Sequence, residues 1–290
     1  MTKKGIDVSY WQGNNINWES VKNEINFAII RAGHQETYDS TAERNMSECE
    51  RLGIPFGLYW FSYATSKIEA VREAERLIEL ADRYNPTYPL YFDYEYDSVK
   101  YSKKQGVTPT AALVKRLATR FCETVEQAGY FAGIYSNLDF INQYYGDNIF
   151  DRFSLWYAQY PTNTYGDVPM HQYSSTGTVS GISGNVDMNY AYIDFPAISA
   201  GMDKPEKISK HDLIMGILAG DYGTGETRKQ NVIAAGHDYE TIQNEINYYY
   251  ELADACILGT YGNGDDRKNA LEKLGADYDA VQYIVNIKMA

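Results

Sequence analysis

The chain has 290 residues, a formal net charge of −13 and an isoelectric point near 4.8, and it contains no run of basic residues. This balance excludes a nucleic-acid-binding protein, because binding to phosphates requires clustered lysine and arginine side chains. The hydrophobic content of 44% can fill a packed core, and the length predicts one large domain, alone or with a smaller second one.

Three cysteines are widely spaced along the chain, at Cys49, Cys122 and Cys256, and each lies in a segment with helical patterning. An odd and dispersed set of cysteines fits neither a disulfide framework nor a metal-ligand cluster. We therefore expect three reduced thiols, and we expect no metal ion or other cofactor.

The N-terminal residues include two lysines but no apolar run of the length that a signal peptide needs. No stretch of 18 apolar residues occurs in the chain, so the sequence predicts no membrane span. We expect synthesis in the cytoplasm, and any action outside the cell would then require release by another factor.

The first part of the chain alternates predicted strands with predicted helices. A continuous apolar run over residues 27–31 indicates a strand that is buried on both faces, and apolar residues at helical spacing over residues 66–84 indicate a long helix. The predicted strands cover residues 5–9, 27–31, 56–63 and 91–97, and the predicted helices cover residues 18–25, 41–52 and 66–84.

The next part of the chain continues with a helix and then with strands that are joined by shorter links. The predicted helices cover residues 110–127 and 138–144, and the predicted strands cover residues 130–135, 154–159, 170–173 and 186–190. This order predicts an α/β fold, a parallel barrel whose second half has lost helices.

Acidic residues alternate with aromatic residues in the predicted fourth strand. There Asp93, Glu95 and Asp97 would point to one face, with successive carboxylates about 7 Å apart along the backbone. Such a face is either a cleft, in which two carboxylates act on one bond, or the solvated face of an edge strand. Asp93, Glu95, Asp7 and Asp187 lie late in predicted strands or just after them, where barrel enzymes gather their chemistry, which favours the cleft. Asp97 lies further along, and we assign it to the rim.

A change of pattern near residue 197 marks the end of the predicted barrel, because proline, glycine and scattered charges follow. Residues 222–229 then recur 39 positions later as residues 261–268, with helical segments and glycine turns around both copies. This repetition predicts small all-α helical bundles, each compact by itself or leaning on its neighbour. The predicted boundaries are a barrel over residues 1–197, a linker over 198–209, and repeats over 210–249 and 250–290.

Short motifs in the first 195 residues occur in an order and spacing that are typical of one enzyme family. The motifs are residues 5–9 with 11–13, 27–33, 57–61, 93–95, 134–136, 155–160, and 172–173 with 185–189. In these motifs the chain resembles the family 25 glycoside hydrolases, the lysozymes of phages and of some bacteria and fungi. The resemblance implies an irregular (β/α) barrel that hydrolyses the β-1,4 bond between N-acetylmuramic acid and N-acetylglucosamine.

The same resemblance implies a role for each of the acidic residues. Glu95 matches the general acid, Asp93 matches the partner that orients or stabilises a reacting N-acetyl group, and Asp7 and Asp187 match the remaining active-site aspartates. Burial and nearby like charges should raise the pKa of Glu95, so that it keeps its proton near neutral pH, while Asp93 stays ionised. The sequence leaves open whether a carboxylate or the substrate's own acetamido group stabilises the positive charge at the anomeric centre.

Aromatic and amide side chains near the predicted strand ends are candidate substrate-binding residues, because an aromatic ring can stack on a sugar. The candidates are Tyr59, Trp60, Tyr63, Tyr135, Trp156, Gln159 and Gln172. For each aromatic residue, packing inside the barrel is the alternative role. His171 stands directly before Gln172, where the family often has tryptophan, and this difference would alter sugar stacking. We expect His34 and His171 to be neutral structural residues.

The C-terminal repeats resemble the CW_7-type cell-wall-binding repeats found behind lysozymes of pneumococcal phages, which bind the muropeptide of peptidoglycan. Arg228 and Arg267 occupy matching positions, and each could grip a ligand carboxylate bidentately. Alternatively, each arginine holds its own repeat together through the nearby Asp238 or Asp277. The implied partner is bacterial peptidoglycan, with no nucleic acid, and the repeats could also support an oligomer.

Two other functions stay open for this sequence. The barrel could bind peptidoglycan or another carbohydrate without catalysis, or it could hydrolyse another N-acetylglucosamine polymer such as chitin. The acidic positions argue against the first, and the repeats argue against the second. Together the features predict a phage endolysin, made in the host cytoplasm without a signal peptide and released to the cell wall through a holin pore. A bacterial autolysin exported by another route is the alternative.

Overall fold

Two units make up the part of the chain that the structure describes. The structure is a computed structural model that covers residues 2–162, 165–202 and 208–289. The first unit, Met1–Pro205, contains strands and helices, and the described residues of the second, Glu206–Ala290, contain helices. No helix in the covered ranges is long and apolar enough to span a lipid bilayer.

A closed sheet of eight strands forms the barrel of the first unit, and one further strand extends its rim. The strands are β1 (Lys3–Val8), β2 (Phe27–His34), β3 (Thr37–Tyr38), β4 (Phe56–Phe61), β5 (Leu90–Asp93), β6 (Ala132–Asn137), β7 (Ser154–Ala158), β8 (Met170–Gly177) and β9 (Val186–Ala191). Neighbouring barrel strands run parallel from β1 through β2, β4, β5, β6 and β7 to β8. The strand β9 closes the barrel and runs antiparallel to both β8 and β1, and the short β3 pairs with β2.

The antiparallel direction of β9 differs from the parallel barrel that the sequence predicted. Because β9 runs in the opposite direction, its first residues lie at the mouth of the barrel, where the other strands end. Asp187 is the second residue of β9, not a late residue as predicted, and it pairs directly with Asp7 near the end of β1. The two side chains therefore reach the same barrel mouth from strands of opposite direction.

Helices follow most of the parallel strands and cover the outside of the barrel. They are α1 (Trp18–Val21), α2 (Ala42–Leu52), α3 (Lys67–Tyr84), α4 (Tyr96–Lys104), α5 (Ala111–Gln127), α6 (Leu138–Phe140) and α7 (Phe195–Ala200). The start of α3 is fixed by a capping box, because the Glu69 N–H donates to Ser66 Oγ (3.3 Å) and the Ser66 N–H donates to Glu69 Oε2 (3.2 Å). The first helix ends at Val21, earlier than predicted.

The barrel strands are buried on both faces, so two sets of side chains form the core of the first unit. Tyr59 of β4 and Tyr91 of β5 point into the barrel, where they pack against Trp156 of β7. Trp60 and Phe92, the next residues on the same strands, belong to the other set, which includes the apolar faces of α3 and α5. Because successive side chains on a strand point to opposite faces, only every second aromatic residue points into the barrel.

The predicted fourth strand is wrong after Asp93, because β5 ends there and a helix that the sequence analysis did not predict begins. Glu95 is the N-cap residue of α4, and its N–H donates to Ser98 Oγ (3.0 Å). Asp97 lies in the first turn of α4, where its exposed carboxylate pairs with Lys100 (2.8 Å). Asp93, Glu95 and Asp97 therefore do not share a strand face, although Asp93 and Glu95 both stay at the strand end.

The short helix α7 occupies the beginning of the predicted linker over residues 198–209, so the linker begins later than predicted. Pro196 lies in the first turn of α7, where the missing N–H of proline costs no hydrogen bond. Phe195 is fully buried, which anchors this helix to the first unit. Residues 203–207 of the predicted linker lie outside the described part of the chain.

The second unit is built from helices that share one core. The helices are α8 (Lys210–Ala219), α9 (Gly225–Ala234), α10 (Tyr239–Ile257), α11 (Asp265–Lys273) and α12 (Tyr278–Met289). One continuous helix, α10, runs across the predicted repeat boundary at residues 249 and 250. Leu213 and Leu252, which match in the repeated sequence, are both buried in the same cluster. Each repeat therefore leans on its neighbour, as one of the two sequence-based alternatives proposed.

A glycine on β6 leaves the space that a tyrosine ring fills inside the barrel. A Cβ atom at Gly133 would lie 2.3 Å from Tyr91 Cε1 and 2.8 Å from Ser154 O. We therefore expect Gly133→Ala to lower the free energy of unfolding by about 1–3 kcal/mol, because a buried ring and a strand must shift. Gly201→Ala is the control, since the nearest atom to its Cβ is 3.5 Å away. Chemical denaturation measures both variants, and equal stability would contradict this packing argument.

Candidate active site

Asp7 is held at the mouth of the barrel by side-chain amides from two neighbouring strands. Its Oδ2 accepts hydrogen bonds from Gln172 Nε2 of β8 (2.9 Å) and Asn189 Nδ2 of β9 (2.8 Å). Trp156 Nε1 donates to Asn189 Oδ1 (2.8 Å), and Tyr135 Oη donates to Gln172 Oε1 (2.9 Å). Because both amide oxygens already accept hydrogen bonds, both amides present their NH₂ groups to the Asp7 carboxylate.

Asp187 faces Asp7 across the pairing of β9 with β1. Burial raises the pKa of Asp7 well above its ordinary value, and the charge of Asp187 raises it further. Burial also raises the pKa of Asp187. The pair therefore holds a proton at pH values where isolated aspartates are fully ionised.

Glu95 and Asp93 form a second carboxyl pair where β5 ends and α4 begins. Burial raises the pKa of Glu95 to about 7, and the charges of Asp97 and Asp187 contribute to the rise. This direction agrees with the sequence-based expectation that Glu95 keeps its proton near neutral pH. The sequence could suggest it because like charges and aromatic residues surround Glu95 in the motif.

Asp93, the expected ionised partner of Glu95, is deeply buried. It is 4% exposed, and its Oδ1 is buried without a hydrogen-bond partner. Burial raises the pKa of Asp93 well above its ordinary value, followed by the charges of Glu95 and Asp7. Because the charge of Glu95 contributes to this rise, the protonation of each carboxyl group depends on that of the other. The sequence shows a carboxylate at this position but not how deeply it is buried.

Arg31 of β2 is a residue of this site that the sequence analysis missed. Its Nε donates to Asp39 Oδ2 (2.8 Å), and its guanidinium carbon lies 4.6 Å from the ring centre of Tyr10. The Nη2 atom of Arg31 is buried without a hydrogen-bond partner. The positive charge of Arg31 offsets part of the rise in the pKa of Asp93 that burial causes. The available signal was a charged residue at the end of the otherwise apolar run over residues 27–31.

Three of the predicted substrate-binding aromatics, Tyr59, Tyr135 and Trp156, lie inside the barrel below the carboxyl groups. The ring centre of Trp156 lies 5.8 Å from that of Tyr59 and 4.8 Å from that of Tyr135. Trp156 is 1% exposed and Tyr59 is 8% exposed, so barrel packing describes these two residues better than sugar stacking does. Tyr63 lies at the rim instead, half-buried, with its ring 5.1 Å from that of Tyr101.

Three residues singled out in the sequence face away from the mouth. Trp60 is fully buried in the outer core, and its Nε1 donates to Gln35 O (3.3 Å). Gln159 Oε1 accepts a hydrogen bond from Tyr157 Oη (3.0 Å), and Tyr157 packs outside the barrel. His171 is buried, and its Nε2 contacts Gln159 O (2.7 Å), so it is a structural residue as expected. Its predicted effect on sugar stacking is wrong, because the side chain does not line the mouth.

Two exposed aromatic residues in the segments that follow β1 and β7 escaped the list of candidates. Tyr160 Oη donates to Gln172 Oε1 (2.5 Å), and 49% of Tyr160 is exposed. Trp11, which is 73% exposed, lies with its ring centre 4.6 Å from that of Tyr10. Both residues were part of the quoted motifs, and their positions directly after β7 and β1 were the signal. Exposed rings at this mouth are suited to stack on sugars.

The cysteines and acidic residues do not form a metal centre within the described ranges of the chain. No group of three His, Cys, Asp or Glu side chains there is arranged to hold a metal ion. Cys49, Cys122 and Cys256 are buried free thiols on α2, α5 and α10. Burial raises the pKa of each thiol, which makes the reactive thiolate form rare.

Arg267 of the second repeat is held inside its own repeat by several hydrogen bonds. Its Nε donates to Gly262 O (3.2 Å), its Nη1 donates to Gln282 Oε1 (3.0 Å), and its Nη2 donates to Asn263 Oδ1 (2.9 Å). These contacts tie the glycine turn before α11 to the helix α12. Half-buried Arg267 therefore has a structural role, while the rest of its surface can still meet a ligand.

Arg228 of the first repeat makes the corresponding contact, since its Nε donates to Gly223 O (3.0 Å). The expected structural partners Asp238 and Asp277 are wrong, because they cap helices instead. Asp238 Oδ1 accepts from the Thr241 N–H at the start of α10 (2.8 Å). Asp277 Oδ1 accepts hydrogen bonds at the start of α12 in the same way.

The comparison with known families agrees with the barrel and the repeated helices. Residues 6–182 match the model for glycosyl hydrolases family 25, and residues 211–249 and 250–289 each match the CW_7 repeat. The chain therefore belongs to glycosyl hydrolase family 25, with two CW_7 repeats behind the barrel. The resemblance seen in the motifs is confirmed.

Individual relatives match about two thirds of the chain. Lysozyme M1 of Streptomyces globisporus is 29% identical over 213 residues, which are 64% of this chain and 66% of the relative. The modular autolysin LytC of Streptococcus pneumoniae, solved with a synthetic peptidoglycan ligand, is 30% identical with a TM-score of 0.58 over 66% of this chain. The match spans 47% of LytC, about half its length. The lysozyme of Streptomyces coelicolor is 26% identical with a TM-score of 0.57, over 68% of this chain and 95% of that one.

Removing the buried carboxyl of Asp93 should stabilise the barrel at neutral pH. Because its pKa is raised in the folded state, ionisation costs stability once the pH exceeds the unfolded value of about 4. We expect Asp93→Asn to melt at a higher temperature than the wild type at about pH 7, with the difference lost at about pH 3, where both side chains are uncharged.

Thermal denaturation at the two pH values tests this prediction. The matched control is Asp97→Asn, because the Asp97 side chain is exposed and pairs with Lys100 at the surface, where an ion pair contributes little. A lower melting temperature for Asp93→Asn at neutral pH would contradict the claim that burial of this carboxylate is costly.

Proposed function

We propose that the protein is a peptidoglycan hydrolase that cleaves the β-1,4 bond between N-acetylmuramic acid and N-acetylglucosamine. The observation that carries the proposal is the position of half-buried Glu95 beside Asp93 at the mouth of a family 25 barrel, where burial raises its pKa to about 7. The peptidoglycan ligand solved with LytC supports the substrate class. The two CW_7 repeats support attachment to the cell wall.

Glu95 supplies the proton that the leaving oxygen needs when the glycosidic bond breaks. An acid with an ordinary carboxyl pKa would lose this proton at neutral pH, whereas burial keeps Glu95 protonated over part of the population. The backbone of Glu95 is fixed by its N–H bond to Ser98 Oγ (3.0 Å) at the start of α4. The carboxyl group is therefore held at the mouth by a rigid element.

Asp93 acts as the partner of a substrate-assisted reaction. Carboxyl groups that act on a sugar from both sides lie about 5–5.5 Å apart in retaining enzymes and about 6.5–9.5 Å apart in inverting ones. Asp93 and Glu95 lie two residues apart where β5 ends and α4 begins, which favours their acting from one side of the scissile bond. The acetamido oxygen of the substrate then attacks the anomeric carbon, Glu95 protonates the leaving oxygen, and Asp93 accepts the acetamido N–H and stabilises the oxazolinium ion.

Loss of the proton donor should abolish the activity. We expect Glu95→Gln to lower kcat on purified cell walls by about 10²–10⁴-fold, since an amide cannot donate a proton to the leaving oxygen. Glu79→Gln, the same change at an exposed carboxylate on α3 that bonds Tyr38 (2.6 Å), is the control and should keep full activity. Turbidity loss of walls measures the rates, and a lytic Glu95→Gln variant would refute the assignment.

The pH dependence of the reaction should follow the protonation of Glu95. We expect kcat/KM to fall as the pH rises through about 7, because the acid loses its proton there. The charge of Asp97 helps to raise this pKa, so Asp97→Asn should move the alkaline limb to lower pH while keeping activity below it. The test measures kcat/KM of both proteins over the pH range at constant ionic strength. An alkaline limb at the same pH in Asp97→Asn and in the wild type would contradict the proposal.

Product analysis separates this proposal from the two alternatives. Mass spectrometry of digested walls should find new reducing ends on N-acetylmuramic acid. A protein that binds walls without releasing such products would be a non-catalytic carbohydrate-binding barrel, and faster release of products from chitin would identify a chitin hydrolase. The release route through a holin pore and an oligomer formed by the repeats stay predictions from the sequence.

A further inference from the structure

A buried carboxyl group on α3 lies outside the set of acidic residues at the mouth. Glu73, in the second turn of this helix, is 5% exposed. Burial of a carboxyl group is costly unless its oxygens are hydrogen-bonded. Glu73 Oε1 accepts a hydrogen bond from the Tyr63 N–H (2.9 Å), and Glu73 Oε2 accepts one from Ser62 Oγ. Both partners belong to residues 62–66, which join β4 to α3 and which we call the β4–α3 link.

The β4–α3 link begins next to the carboxyl pair of the active site. The Ser62 N–H donates to Asp93 O (2.7 Å), which continues the pairing of β4 with β5. The Ser62 side chain points outward to α3, so the next side chain, that of Tyr63, points to the mouth. Burial raises the pKa of Tyr63, and the negative charges of Asp97, Asp93 and Glu95 raise it further, which agrees with this position.

The ring of Tyr63 forms a wall at the rim of the mouth. Its centre lies 5.1 Å from the ring centre of Tyr101, 5.3 Å from that of Phe61 and 6.5 Å from that of His34. Tyr63 is half-buried, so part of its ring is packed against these neighbours and part stays exposed. An exposed aromatic surface beside the acidic pair is suited to stack on a sugar ring.

The helix α3 does not need Glu73 for its start. Glu69 and Ser66 already form the capping box, and Glu69 Oε2 also accepts hydrogen bonds from the Thr65 N–H (2.6 Å) and from Thr65 Oγ1 (2.8 Å). Glu73 lies one turn further along the helix, and its carboxyl group reaches back to the first two residues of the β4–α3 link. Its hydrogen bonds therefore fix the part of the link that carries Tyr63.

We infer that Glu73 is a positioning residue, which sets the place of Tyr63 in the substrate cleft. The inference rests on the proposed function, because the ligand that Tyr63 stacks on is the glycan whose scissile bond lies at Glu95. Glu73 does not touch this glycan and acts through the Tyr63 N–H and the Ser62 hydroxyl. A ring that stacks on the sugar equally well in the ground state and the transition state changes KM and leaves kcat unchanged.

The test measures kcat and KM separately, from new reducing ends, on soluble peptidoglycan glycan strands from which an amidase has removed the peptides. We expect Glu73→Ala to raise KM about tenfold and to change kcat less than about twofold, because the hydrogen bonds that fix the link are lost. Ile78→Val, a change in the outer core on the same helix, is the control for a loss of stability and should leave KM unchanged.

The conservative change at the same position should rescue the activity. Burial raises the pKa of Glu73 to about 8, so its carboxyl group is mostly uncharged at neutral pH, and glutamine matches it in charge and shape. In Glu73→Gln the amide oxygen can accept from the Tyr63 N–H, and the amide NH₂ group can donate to Ser62 Oγ. We therefore expect the KM of Glu73→Gln to stay close to that of the wild type.

A double-mutant cycle shows whether Glu73 acts through the ring of Tyr63. Tyr63→Ala should raise KM by itself, and adding Glu73→Ala to it should have no further effect, because two changes that act through one group are not additive. Ser62→Ala removes one of the two hydrogen bonds, so it should raise KM less than Glu73→Ala does, and again not in the Tyr63→Ala background. This milder variant keeps the test decisive if Glu73→Ala does not fold.

The inference is overturned if the effects of Glu73→Ala and Tyr63→Ala on KM add in full, if Glu73→Ala leaves KM unchanged, or if Glu73→Gln is impaired as much as Glu73→Ala. Calorimetry with the same peptide-free glycan, in a Glu95→Gln background, measures Kd without turnover. There Glu73→Ala should weaken binding about tenfold, and an equal Kd would contradict the inference. If the wild type releases no reducing ends, the proposed function fails, and the difference in Kd alone decides about Glu73.

Discussion

The antiparallel closure of the barrel by β9 is the constraint on which the active site depends. A parallel strand at this place would carry Asp187, its second residue, to the far end of the barrel. The reversed strand instead sets Asp187 directly opposite Asp7, and it also brings Asn189 beside the same carboxylate. Two strands from opposite ends of the first unit therefore build one half of the mouth, and the turn from β5 into α4 builds the other half.

Burial of these carboxyl groups couples stability to chemistry. Removing a carboxylate from water is costly, and the barrel offsets part of the cost with amide donors on Asp7 and with Arg31 near Asp93. The remaining cost of burial raises the pKa values of these carboxyl groups. Burial also raises the pKa of Glu95 to about 7, so that part of the population keeps its proton near neutral pH. The burial that lowers the stability of the barrel therefore also provides the general acid.

The step from strand to helix at Glu95 separates groups that are close in sequence. Asp93 ends β5 inside the mouth, Glu95 caps α4 at its edge, and Asp97 lies outside on the helix surface. Tyr101, one turn further along α4, packs edge to face against Tyr63 at the rim. One short segment therefore positions both the proton donor and its partner. In the second unit, the two repeats share the helix α10 and a single hydrophobic core.

Local patterns in the chain were enough to predict the buried strands, the long helices α3 and α5, the repeat period of 39 residues and the acidic residues Asp7, Asp93, Glu95 and Asp187. They were not enough for the direction of β9, the end of β5 at Asp93, the outward side of Trp60 or the place of Arg31. Periodicity reports how each residue relates to its near neighbours in sequence, whereas strand direction and register depend on partners far away, such as Asp7 with Asp187. The raised pKa of Asp93 belongs to the second group, because it is caused by burial among residues from several strands.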